Sequence, residues 1–182
     1  MLELEVPLSP EGWDEERQMF VEPKVQVLRL EHSLVSISKW EANWCKPFLS
    51  NKEMTFEETI DYIKCMTLTP NVDKDVYKHL TSANIDQIKK YIERPMTATT
   101  FSGPAKSGSN GELVTSELIY YWMIALQIPI DECQKWHLNR LLTLIRVCNV
   151  KNAPSKKMSK REISSRNASI NAARRKRLGT KG

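Results

Sequence analysis

Cys133 and His137 stand four residues apart, a spacing that puts two side chains on one helix face and lets both reach a single zinc ion. A tetrahedral site needs two more ligands, and Cys45, Cys65, Cys148, His32 and His79 form no second close pair. The expectation is a buried cysteine beside a hydrogen-bonded histidine, with no metal. Gly103-Pro104-Ala105-Lys106-Ser107 ends in the Lys-Ser of a phosphate-binding loop. That loop needs glycine directly before the lysine and again five residues earlier, so that backbone amides can close on a phosphate. Those positions hold Ala105 and Thr100, so no nucleotide is expected. Glu57, Glu58 and Asp61 cluster at a helix start, where the positive end of the macrodipole explains carboxylates better than an acid/base pair does. Serines, histidines and aspartates occur without a nucleophile elbow or an oxyanion-forming glycine turn. Asn167-Ala168-Ser169 fits a glycosylation acceptor, but nothing N-terminal resembles a secretory signal, so it carries no weight. The residues therefore predict no catalytic group, no cofactor and no metal, and a protein that is not an enzyme.

Charge is more informative. Residues 151–182 hold eleven Lys/Arg against the single Glu162, a net +10, which leaves the first 150 residues at −5 in a chain of net +5. The pI near 9.0 thus belongs to this C-terminal arm. Such a block is solvated and serves to capture an anionic partner. Ser159 and Glu162 form a capping box opening a helix that could run to Leu178, with Gly179 as its stop. Its apolar residues are only Ile163, Ile170 and Leu178, too few to stabilise an isolated helix, so the arm is expected to be mobile alone and helical once a partner covers it. Ile163, Ile170, Arg174, Arg175, Lys176, Arg177 and Leu178 are the candidate partner-binding residues. The arm has no aromatic residue to stack on a base, so any nucleic-acid binding would be weak and non-specific.

The rest of the 182 residues, 41% hydrophobic and 27% charged overall, suffices for one compact domain. Dispersed cysteines suggest a reducing cytoplasm. The longest apolar run, nine residues at 118–126, falls short of the roughly 20 that cross a bilayer, so no membrane span is expected. Leu2, Leu4 and Val6 alternate with Glu3 and Glu5 as a strand; Trp13 and Met19-Phe20-Val21 flank a polar stretch as a hairpin, and 25–30 reads as a third strand. From Ser33 the period becomes helical through Leu34, Ile37, Trp40 and Trp44, up to Pro47, with the two tryptophans read as a core or contact pair. Thr55 and Glu58 form a capping box before a helix with Phe56, Ile60 and Ile63 on one face. A short turn at 73–80 and a helix at 82–93 lead to a flexible loop at 102–111, which contains half the glycines. Thr115 and Ser116 cap a helix that is apolar around its whole circumference, and so is expected to be buried on all sides. Asp131 and Gln134 would then cap a helix from 132 to 149, with Lys135, Asn139, Thr143 and Arg146 opposite Cys133, Trp136, Leu141, Leu144 and Cys148. These two helices are expected to pack antiparallel, centring the core on Trp122, Met123, Leu126, Leu141, Leu144 and Ile145. The fold class is α+β, mainly α: a small antiparallel β element in 1–31, a helical body in 32–150 and a basic arm in 151–182.

The run Thr-Ser-Glu-Leu-Ile-Tyr-Tyr-Trp-Met-Ile-Ala-Leu at 115–126, the helix Glu-Cys-Gln-Lys-Trp-His-Leu-Asn-Arg-Leu-Leu-Thr-Leu-Ile-Arg-Val-Cys-Asn at 132–149, and Lys156-Lys157-Met158-Ser159-Lys160-Arg161 together resemble small proteins of the tail-assembly region of long-tailed bacteriophages. The nearest family is the phage tail assembly chaperone. The resemblance covers the C-terminal third to half of the chain. It implies a non-catalytic, mostly helical protein that binds the tape-measure protein and gathers tail-tube subunits around it. It places the protein in the host bacterial cytoplasm during phage assembly, or in the virion. The other classes kept open are a virion structural protein of the tail or neck and a nucleic-acid-binding accessory protein using the basic arm.

Overall fold

The computed structural model describes residues 1–8, 12–14, 19–21, 24–50, 53–101, 113–153 and 160–179. The hairpin connection at 15–18, the glycine-bearing loop at 102–111 and the cap residue Ser159 lie outside the described residues. The chain is mainly helical with a small antiparallel β element at its N-terminus, the class its patterning predicts. It divides into two units, Met1–Asn149 and Val150–Gly182.

Alternation in the first residues makes a half-buried strand, β1 (Leu2–Pro7), which pairs antiparallel with β4 (Val25–Leu30) from Leu2 opposite Leu30 to Pro7 opposite Val25. Leu4, Val6, Leu28 and Leu30 are buried, while Glu3, Glu5, Val27 and Arg29 face water. β2 (Gly12–Asp14) and β3 (Met19–Val21) form a second two-stranded ladder. The inner face of the β1–β4 ribbon needs a cover, since two strands alone are marginal. α1 (Leu34–Trp44) begins at Ser33, whose hydroxyl accepts from the Ser36 amide while Ser36 Oγ accepts from the Ser33 amide, and it ends at Cys45 in the left-handed region. α2 (Phe56–Met66) carries the expected capping box of Thr55 and Glu58. Its exit is stitched to β4 by Glu31 N–H donating to Met66 C=O (2.9 Å) and Leu68 N–H to Arg29 C=O (2.7 Å). A 3-10 turn (Lys74–His79) leads to α3 (Ser82–Glu93), whose Asn84 amide donates to Glu5 C=O of β1. α4 (Ser116–Ala125), α5 (Ile130–Cys133) and α6 (Leu138–Asn152) complete the body, and α7 (Lys160–Leu178) lies in the second unit.

Several expectations need correction. α4 is not buried on all sides: α1 and α5 cover Ser116, Ile119 and Met123, while Tyr121 and Ile124 are each 63% exposed. An all-apolar run has no periodicity, so its pattern could not select a face. The helix expected from 132 under an Asp131–Gln134 cap breaks into α5 and α6: α5 starts at Ile130 behind Pro129 with no side-chain cap, the chain turns at 134–136, and the helix restarts at Leu138 behind His137. Asn139, assigned to a polar face, points inward and donates to Ile92 C=O and Arg94 C=O, closing the C-terminal end of α3. α4 therefore packs on α1 and α5 and not broadly along α6. On α2, Glu58, Tyr62, Ile63 and Met66 face inward, which leaves Phe56 76% exposed.

The core shifts accordingly. Met123, Leu141 and Ile145 are buried as expected, but Trp122, Leu126 and Leu144 are only partly so, and the centre lies among the β1–β4 ribbon, α1 and α2. Leu141→Ala is therefore expected to cost about 2–5 kcal/mol, whereas Leu144→Ala, partly solvated already, should cost about half of that. Urea denaturation of the two variants checks the order; equal losses would contradict this placement of α6.

Candidate functional site

The predicted partner-binding residues all lie on α7. Few bulky β-branched residues interrupt this segment, Glu162 sits in its first turn and Arg175, Lys176 and Arg177 in its last, each on the end the helix dipole favours. Gly179 takes φ +65°, a left-handed conformation that a side chain would strain, and so ends the helix. Every described side chain from Arg161 to Gly179 is exposed, including Ile163, Ile170 and Leu178. At about 100° per residue, Ile163, Ile170, Arg174 and Arg177 share a face about 60° wide, with Leu178 at its edge. Arg175 and Lys176 fall on other sides. The apolar stripe and part of the charge, Arg174 and Arg177, thus share one surface.

Within the body, the polar side chains that converge are engaged with one another. His32 Nδ1 lies 2.5 Å from the Tyr62 hydroxyl, and its ring sits 5.1 Å from that of His137, centroid to centroid. His137 Nε2 donates to Tyr91 C=O (3.0 Å), and its Nδ1 accepts from Asn139 N–H (3.3 Å), so His137 caps α6 with its imidazole neutral. The Tyr91 hydroxyl donates to Glu31 (2.6 Å). Burial, helped by the neighbouring His137, pushes His32 down to about 3, and burial lowers His137 as well. These groups tie the entry of α1 to α2, α3 and α6. Glu41, also buried, accepts from Phe48 N–H (2.8 Å) and from Ser116 N–H (2.7 Å), holding the start of α4 to α1.

The candidate chemical residues are accounted for in the same way. Cys133 and His137 are buried but separated by the break between α5 and α6. Burial raises both Cys133 and Cys65, the latter to about 11, the reverse of what a nucleophilic thiolate requires. Glu58 pairs with Lys46 (2.5 Å), whose hydrogen bond holds its carboxyl below the usual range. Asp61 accepts from Asn43 Nδ2 and Trp44 Nε1, so beyond any dipole effect these carboxylates join α2 to α1. Among the described residues no three His, Cys, Asp or Glu side chains are grouped to hold a metal ion, and no helix is long and apolar enough to cross a membrane. The convergence of His32 with His137 and of Glu41 with Ser116 had no local signal, because each pair joins residues distant along the chain.

No family model matches the sequence, and comparisons with curated proteins and with solved structures return no match.

Proposed function

We propose that this chain is a non-catalytic assembly protein of the tailed-phage tail-chaperone kind, acting in the host bacterial cytoplasm. The observation that carries this reading is the exposed helix α7, which presents Ile163, Ile170, Arg174 and Arg177 on one surface in a unit distinct from the body. A surface with both apolar and cationic groups suits an elongated acidic helical partner such as a tape-measure protein, with tail-tube subunits recruited in turn. The polar groups of the body spend their hydrogen bonds on one another, which supports a scaffold and not a reaction centre.

Deleting 155–182 should leave the unfolding transition of the body within about 0.5 kcal/mol and abolish co-assembly with the tape-measure protein. Ile163→Asp with Ile170→Asp should block assembly, while replacing Arg174, Arg175, Lys176 and Arg177 by Gln should weaken it and remove any DNA binding. Assembly that ignores the isoleucines, together with DNA binding lost with the arginines and with rising salt, would transfer the proposal to a nucleic-acid accessory role, because phosphate contacts release counterions.

A further inference from the structure

Phe56, Ile60 and Lys64 recur at four-residue spacing along α2 and form one wall of a groove; Tyr77 and Leu80 with Ile85 of α3 form the other. The groove has a volume of about 360 Å³, and Lys64, Lys74 and Lys78 stand around it with no carboxylate among its lining residues. Lys64 Nζ lies 5.9 Å from the centre of the Tyr77 ring. Lys78 makes a direct but well-exposed ion pair with Asp75, three residues earlier (2.6 Å), a surface pairing of little energetic consequence that a better-placed carboxylate can replace. Three lysines around an apolar floor run against the background of a body whose net charge is −5. Phe56 opens α2, where its exposure contributes nothing to the core and costs solvation.

We propose that this groove docks an acidic segment of a partner protein, seating one aromatic or branched aliphatic side chain between Phe56 and Tyr77 while flanking carboxylates meet Lys64, Lys74 and Lys78. The site is independent of α7 and gives the protein a second point of attachment.

The test uses the full-length chain and a fluorescein-labelled nonapeptide with one tryptophan between two pairs of aspartates, read by polarisation. Because the basic arm attracts acidic peptides, each measurement is repeated in the chain with Arg174, Arg175, Lys176 and Arg177 replaced by Gln. Saturable binding with Kd on the order of 100 µM is expected to survive in that background. It should weaken about tenfold with Phe56→Asp and about threefold to tenfold with Lys74→Glu, persist with Lys74→Arg, and be lost when the peptide tryptophan becomes alanine. Phe56 is exposed, so Phe56→Asp should keep the parent melting temperature, which separates lost docking from lost folding. No saturable binding up to about 1 mM, binding that vanishes with the arm substitutions, or binding indifferent to Phe56→Asp would each overturn the proposal. Self-association in sedimentation that Phe56→Asp dissolves would overturn it too, assigning the groove to a second copy. Failure of arm-dependent assembly with groove binding intact would count against the tail-chaperone proposal alone.

Discussion

Trp40→Ala should destabilise the protein by about 3–5 kcal/mol. Trp40 is fully buried in α1, stacks on Trp44 at 6.3 Å and 26°, meets Phe48 edge-on at 5.2 Å, and donates from Nε1 to Glu58 C=O at 3.0 Å. Removing the indole opens a cavity at the junction of α1 and α2 and deletes a hydrogen bond between them. Total stabilities of about 5–15 kcal/mol make this a large fraction of the whole. Trp40→Phe retains most of the apolar contact and should lose about 1–3 kcal/mol, chiefly the hydrogen bond and part of the ring volume. Urea denaturation at neutral pH measures both. A loss below about 1 kcal/mol for Trp40→Ala would mean that the tryptophan pair is not the link between α1 and α2 described above.

Stability is also expected to fall steeply on mild acidification, with His32 as the main cause. In the unfolded chain this imidazole titrates at its ordinary 6.5, whereas in the fold burial and the adjacent His137 hold it near 3. Below pH 6.5 the unfolded state therefore takes up a proton that the folded state refuses. The stability is complete above pH 6.5 and is lost progressively as the pH falls toward 3. At about 1.4 kcal/mol per pH unit, His32 alone removes about 2 kcal/mol between pH 6.5 and 5. His137 is displaced in the same direction and adds to the loss. Its protonation would also turn Nδ1 from an acceptor into a donor facing the Asn139 amide, undoing the cap of α6. Glu58, lowered by Lys46, enters only in the more acidic carboxylate range. Denaturation midpoints of the parent and of His32→Gln, followed from pH 7.5 to 5, should show the variant less stable at neutral pH but with about one proton less of dependence. A parent whose stability stays flat across that interval would refute the neutral buried pair.

Among the elements legible without the fold, the caps were the clearest. Thr55 with Glu58 starts α2, and Gly179 ends α7, because a capping hydroxyl, a returning carboxylate and a left-handed glycine act within four residues of one another. The alternation of Leu4 and Val6 with Glu3 and Glu5 fixed the inner face of β1 for the same reason: side chains on a strand have a period of two whatever covers them. The reversal of charge at 151 was equally visible, being a property of composition. Pattern failed where it was saturated or where two faces competed. The run 118–126 had no polar residue to mark an outside, so the covering by α1 and α5 decided that Tyr121 and Ile124 face water. On α2 the sequence offered Phe56, Ile60 and Ile63 as one face, and packing rotated the helix to bury Tyr62, Ile63 and Met66, turning the leftover stripe into a groove wall.

The sequence by itself thus determined the element types, most of their ends, the split between an acidic body and a basic arm, and the composition of α7, because each follows from local spacing or net charge. Only the tertiary structure decided which faces are covered, that α6 begins at Leu138 with His137 as its cap, that Asn139 closes α3, and that His32 meets His137. Those outcomes depend on which distant segment arrives to bury a surface or accept a hydrogen bond. Residues as far apart as Glu41 and Ser116 carry no trace of each other until the chain has folded.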